Sequence, residues 1–219
     1  MEHTPITAGT GAATEQQNQN MHGYYRLHAK IYDATRWTFL FGRKEIITRM
    51  GIDPQAKLTL LEVGCGTGYN LKRLAGAFPN LSLIGVDVSA DMLQQAEKNM
   101  AAFPNKVQLI EKPYAPHSFN LEQKPDVILI SYALTMFNPG WEDAIAKAAE
   151  DLPVGGKIAV VDFHYSRSKF FRWWMGKNHV RMEAHLMPVL ENTFKPVYKS
   201  IRKAYGGVWE YCLFVGEKV

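Results

Sequence analysis

The sequence predicts an α/β fold: a doubly wound parallel sheet with helices on both faces, closed by a C-terminal antiparallel hairpin. Three observations carry this. Short apolar runs alternate with helical patterns between residues 58 and 162; the first run leads directly into alternate glycines and a helix; and two final apolar runs flank Gly206-Gly207. Strands separated by crossover helices build parallel sheets, whereas a two-glycine turn joins antiparallel neighbours.

Residues 1–20, MEHTPITAGTGAATEQQNQN, are small and polar without periodicity and read as a disordered tail. They contain no Lys, Arg or apolar run, which argues against a secretory signal. A helical cap is predicted over 21–50. Within it Tyr25, Ala29, Tyr32, Arg36 and Phe39 share one face, and a short helix from Arg43 to Met50 stops at Gly51. Five strands are then predicted, at residues 58–63, 81–87, 106–111, 126–132 and 157–162. Helical patterns fall at 69–77, 90–101 and 141–151, with Ser89 as an N-cap and Asp91 against the helix dipole. An insertion over 166–194 breaks the rhythm before two last strands, 197–204 and 208–215. Seven strands result, in one domain over 21–219.

Composition narrows the class. Apolar residues at 47% and charged residues at 21% exclude a wholly disordered chain, a collagen-like repeat and a coiled coil. The longest nearly apolar stretch, Val127 to Phe137, falls short of the ~20 residues that span a bilayer. Two cysteines, Cys65 and Cys212, exclude a disulfide framework and point to a reducing cytoplasm. The net charge of +4 is concentrated: residues 164–205 hold nine basic and two acidic side chains, which suggests an anionic surface or ligand there.

The most informative segment is Leu60-Leu61-Glu62-Val63-Gly64-Cys65-Gly66-Thr67-Gly68. Glycines let a backbone turn tightly and approach a ligand, with free N–H groups at the following helix start. The dinucleotide pattern G-x-G-x-x-G is absent, since Tyr69 holds its third position; the spacing is G-x-G-x-G, with Glu62 two residues ahead. The second predicted strand ends on Asp87, placed to accept from both hydroxyls of a ribose. A tight turn with Asp87 as a helix cap is the plainer alternative for any one feature. Their joint order on consecutive elements favours a cofactor site.

On these residues the chain resembles the class I S-adenosylmethionine-dependent methyltransferases. The resemblance implies a Rossmann-like seven-stranded sheet in the order 3-2-1-4-5-7-6 and S-adenosyl-L-methionine as cofactor. It implies that Glu62 orients the methionyl amine, that Gly64, Cys65, Gly66 and Gly68 line the cofactor, and that Asp87 holds the ribose. Val88 and Met92 would flank the adenine. Many relatives carry Asp-Ala after the third strand; this sequence reads Lys112-Pro113-Tyr114, so the adenine-amine contact is left open, with Tyr114 as a stacking candidate.

Methyl transfer asks a protein mainly to align the acceptor and exclude water, and an amine acceptor must lose its proton. Residues beyond the carboxyl ends of strands face the substrate, which selects Ser131 at the cofactor and Tyr132 and His164 as catalytic candidates. A satisfied structural histidine is the even alternative for His164. The insertion mixes Phe170-Phe171-Arg172-Trp173-Trp174-Met175 with Lys169, Lys177 and Arg181. Such a mixture suits peripheral contact with an anionic membrane through 167–181. Nucleic-acid stacking is a second use of it, and a lid helix with Phe170, Trp174 and Met182 packed on the sheet is a third. Nucleic acid is not expected, because Ser131-Tyr132-Ala133-Leu134 lacks the Asn/Asp-Pro-Pro-Tyr/Phe signature of many amino-methylating enzymes of that class. No metal is expected, because His179, Glu183 and His185 form no tight ligand pattern.

Three further stretches resemble the betaine-lipid N-methyltransferases: Tyr24 to Asp33 with Phe39-Leu40-Phe41-Gly42-Arg43, His179-Val180-Arg181-Met182 through Leu186-Met187-Pro188, and Ala204-Tyr205-Gly206-Gly207-Val208-Trp209. That resemblance implies successive methylation of a diacylglyceryl-homoserine amine, with Tyr25 covering the cofactor and Tyr32 the substrate, at the inner membrane surface. A quinone or soluble small-molecule methyltransferase and a non-catalytic cofactor-binding protein are the alternatives.

Overall fold

The computed structural model describes residues 39–103, 106–116, 118–177 and 179–219. The tail over 1–20 and the cap residues up to 38, Tyr25 and Tyr32 among them, lie outside the described residues. Leu40–Val219 form one compact unit.

A seven-stranded sheet organises this unit, in the order β3-β2-β1-β4-β5-β7-β6. Its strands are β1 (Thr59–Val63), β2 (Ser82–Asp87), β3 (Val107–Glu111), β4 (Val127–Ser131), β5 (Lys157–Tyr165), β6 (Lys195–Ala204) and β7 (Trp209–Glu217). The first five pair in parallel, and β7 runs antiparallel between β5 and β6. β1 and β4 stand at the centre because their sequences, Leu60-Leu61-Glu62-Val63 and Val127-Ile128-Leu129-Ile130, are almost continuously apolar and suit burial on both faces. The edge strand β6 alternates Lys and Arg with Tyr198 and Ile201 and is mostly exposed, a composition that discourages pairing with another chain.

The helices are α1 (Arg43–Arg49), α2 (Tyr69–Ala77), α3 (Ala90–Met100), α4 (Trp141–Asp151), α5 (Lys169–Lys177) and α6 (Leu186–Thr193). α2 and α4 occupy the ranges their periodicity predicts, and α3 stops one residue early. Ser89 caps α3 as predicted, its hydroxyl accepting from the Met92 N–H at 3.4 Å. β5 runs three residues beyond the predicted end. The extension is held by β7, where Phe163 pairs with Tyr211 and Tyr165 with Glu210 across a register shift at His164. Sequence around residues 163–165 lacks an apolar run, so only the partner strand reveals it.

Two packing features position the site. Gly85, in the middle of β2, lets α2 and the loop after β1 settle directly on the strand: a Cβ there would lie 2.7 Å from Leu71 Cδ1 and 2.9 Å from Cys65 Sγ. Cys65 is consequently buried, as is Cys212 on β7, whose thiol burial pushes up to about 12. The second feature is a buried polar knot. The Asp162 carboxylate, fully enclosed on β5, accepts from the Thr135 hydroxyl at 2.5 Å and the Thr135 N–H at 3.2 Å. The Thr135 carbonyl in turn accepts from the Arg181 N–H at 2.9 Å and Asn138 Nδ2 at 2.7 Å. The turn after β4 is thereby tied to β5 and to the insertion.

Burial raises the Asp162 pKa from 3.8 to about 6, against the hydrogen bonds from Thr135 and Phe163 that favour its ionised form. Between those two values the native chain holds a proton that the unfolded chain has lost, so this group's contribution to stability falls as pH rises through about 4 to 6. Asp162→Asn removes the titration. Denaturant melts should show wild type losing on the order of 1–3 kcal/mol relative to the variant across that window, with a constant difference above pH 7. A difference that does not change with pH would show that Asp162 keeps an ordinary carboxylate pKa.

Candidate active site

Open α/β sheets bind ligands beyond the carboxyl ends of their strands, where the strand order reverses. Here that point lies between β1 and β4. The chain leaving β1 passes through Gly64, Gly66 and Gly68 at φ of 67°, 52° and 75°. Those left-handed values are costly for residues with a Cβ. At Gly64 there is also no space, since a Cβ would lie 2.6 Å from that of Ala133. The Gly64 and Cys65 N–H groups both donate to the Val86 carbonyl, at 2.8 and 3.1 Å. The Gly66 N–H donates to Asp87 Oδ2 at 2.8 Å, and Asp87 Oδ1 accepts from the Ser89 N–H at 3.0 Å. One carboxylate therefore fixes both the glycine loop and the start of α3.

Glu62 is buried on β1, and its Oε1 accepts from Asn70 Nδ2 at 2.7 Å. Asn70, in the first turn of α2, escapes sequence reasoning. The one available signal is a polar residue on the helix face that packs inward. Asn99 on α3 was missed in the same way, and it donates to the Thr67 carbonyl at 2.9 Å. Met92 is buried and Val88 exposed beside Asp87. Ser131, at the end of β4, is buried with its Oγ lacking a hydrogen-bond partner among the described residues.

The remaining candidates are spread more widely. Tyr132 has φ 56°, packs edge-on to Phe163 at 4.7 Å and donates its hydroxyl to the Phe41 carbonyl at 2.8 Å. Burial holds that phenol well above its ordinary pKa, so it stays protonated. His164 is half-buried near the end of β5, and its Nδ1 has no partner among the described residues. Burial lowers its pKa and so favours the neutral ring, against the Glu210 carboxylate, which favours the charged one. Tyr114 is turned into the core instead of standing open beside the end of β3. Its ring meets Phe119 at 5.1 Å, and its hydroxyl donates at 2.8 Å to Asp151, which also pairs with Lys147 of α4. Thus Glu62, the glycines, Asp87, Met92 and Ser131 converge at one end of the sheet, with Cys65 packed beneath the loop. Tyr25 and Tyr32 lie outside the described residues.

α5 corrects the lid alternative in part. Met182 is buried, but Phe170 and Trp174 are exposed, because the helix turns Met175 inward and rests Phe171 on Trp209 at 5.1 Å. Among the described residues no group of three or more His, Cys, Asp or Glu side chains could hold a metal, and no helix is long and apolar enough to cross a membrane.

Comparison with known proteins agrees with this geometry. Residues 60–156 match the family described as "Methyltransferase domain". A malonyl-[acyl-carrier protein] O-methyltransferase of Priestia megaterium is 27% identical over 137 residues, 62% of this chain and 48% of that protein. A trans-aconitate 2-methyltransferase of Afipia carboxidovorans is 33% identical over 101 residues, 46% of this chain and 37% of that protein. This chain spans about half the length, or less, of the curated relatives it matches. In fold it is similar to the N-methyltransferase NodS of Bradyrhizobium japonicum solved with S-adenosyl-L-homocysteine, with a TM-score of 0.65 at 17% identity over 80% of this chain and 85% of that one. The strand order, the glycine loop with its acidic partner and the family match converge: residues 60–156 are similar to a methyltransferase domain, set in a seven-stranded sheet whose fold is that of S-adenosylmethionine-dependent methyltransferases.

Proposed function

We propose that the chain methylates a lipid headgroup amine of the diacylglyceryl-homoserine kind, working in peripheral contact with a membrane through 167–181. The observation that carries this reading is the aromatic and basic face of α5, exposed at the end of β5 and hence at the same end of the sheet as the glycine loop. The loop fits the cofactor by its own geometry: a cradle closed against Ala133, and the buried Ser131 Oγ, which has no partner among the described residues. When bound, S-adenosylmethionine supplies a methyl group already activated by its sulfonium.

The chain's own residues bind, orient and deprotonate. Asp87 receives the ribose hydroxyls, since a carboxylate accepts about four hydrogen bonds. Glu62, held by Asn70, takes the methionyl amine, while Val88 and Met92 flank the adenine. An amine attacks only when neutral, and His164 takes its proton, an assignment supported by its place near the carboxyl end of β5 with Nδ1 lacking a partner among the described residues. Tyr132, anchored on Phe41, forms a wall of the acceptor site.

Two measurements test the proposal. Asp87→Ala loses charged hydrogen bonds of ~1.5–3 kcal/mol each, so calorimetry should show cofactor affinity falling at least tenfold. An unchanged dissociation constant would remove Asp87 from the site. Labelled methyl transfer should go to diacylglyceryl-homoserine in preference to a quinone precursor, malonyl-[acyl-carrier protein] or trans-aconitate. Transfer to a soluble acceptor alone would overturn the lipid assignment.

A further inference from the structure

α5 carries its aromatic residues on the wrong side for a core helix. Phe170, Trp173, Trp174 and Lys177 recur at i, i+3, i+4 and i+7, one face of the helix, and the three rings are 73%, 56% and 41% exposed. A second exposed apolar element lies at the turn between β6 and β7, where Tyr205 is 54% and Val208 44% exposed. Topology puts the two at one end of the sheet. β7 is antiparallel to β5 and pairs Glu210 with Tyr165, so the turn entering β7 stands beside the chain leaving β5. Direct contacts join them: Ser166 Oγ donates to the Val208 carbonyl at 2.6 Å, Phe171 stacks on Trp209, and Tyr205 lies 4.8 Å from the same indole.

We propose that α5 and the Tyr205–Val208 turn form a single docking face for an anionic lipid bilayer, oriented so that the cofactor end of the sheet faces the headgroups. Charge is complementary to such a surface. Arg167, Lys169 and Lys203 are exposed around the rings, and Lys177 Nζ stands 4.4 Å over the Trp173 ring. The two acids of residues 164–205 are neutralised within the protein, Glu183 by Arg181 at 2.7 Å and Glu191 by Lys199 at 2.9 Å. Trp and Phe beside cations on one side of a short helix are the pattern of an interfacial helix. The choice of a bilayer as partner rests on the lipid-acceptor reading; the two-element construction of the face does not.

Flotation of the full chain with vesicles of phosphatidylglycerol and phosphatidylcholine in equal parts tests the proposal. Wild type should float at low salt and be released as salt screens the basic side chains. Tyr205→Asn with Val208→Asp should lower vesicle partition at least tenfold; Asn tolerates the positive φ of 47° at that position. Trp173→Ala with Trp174→Ala should do the same, and both pairs should keep wild-type cofactor affinity by calorimetry. The inference is overturned if wild type ignores the vesicles, if the turn variant floats like wild type, or if the face instead retains single-stranded RNA more tightly than vesicles. Loss of cofactor affinity in the tryptophan pair would place those rings in the fold and overturn it equally. Methyl transfer to detergent-dispersed diacylglyceryl-homoserine separates the two readings: no transfer with vesicle binding intact removes the acceptor and leaves the docking face standing.

Discussion

The carboxylate of Asp87 bonds to the backbone N–H of Gly66 across 2.8 Å, and the cofactor end of the domain is built around that bond. Without it, three left-handed glycines would make a floppy connection, since glycine loses more conformational freedom on folding than any other residue. With it, the loop's shape is set by β2, and β2 is itself fixed by pairing with β1 and β3. The same side chain seats Ser89 and hence the first turn of α3. A residue read from sequence as a ligand-binding acid is thus equally a structural one, and a substitution there loosens the loop as well as removing acceptors.

How much of this was legible beforehand depended on the range of the interactions involved. Local patterns were sufficient for the central strands, for α2 and α4, and for the Ser89 cap, where periodicity, glycines and a capping hydroxyl all act within a few residues. The strand order observed is the one the family resemblance implied, not one that periodicity dictates. Contacts far apart in sequence were invisible. Asp162 and Thr135 are twenty-seven positions apart, and neither carries a signal of its own. Tyr114 looked like a ring at the mouth of the site, but its hydroxyl finds Asp151 thirty-seven positions away and the ring goes inward with it.

The insertion shows the same limit from the other side. Its sequence announced aromatic and basic residues but not their direction. Direction came from two small facts, that Met175 faces in and that Phe171 has a partner in Trp209. With those contacts made, Phe170, Trp173 and Trp174 stand on the exposed face, and the neighbouring turn of β6–β7 joins that surface.

The two cysteines have a consequence of a different sort. Cys65 is shut beneath the glycine loop against Gly85, and Cys212 sits on β7 with its sulfur 3.5 Å from the Asp162 carbonyl. A thiol reacts as its thiolate and only when reached by reagent, so in the native state both are silent. They become local clocks. Alkylation at Cys65 would time the lifting of the glycine loop from β2, and alkylation at Cys212 would time the parting of β5 from β7. Each opening can then be followed in the unaltered chain, and ligands that hold the loop closed should slow the first clock while leaving the second to run.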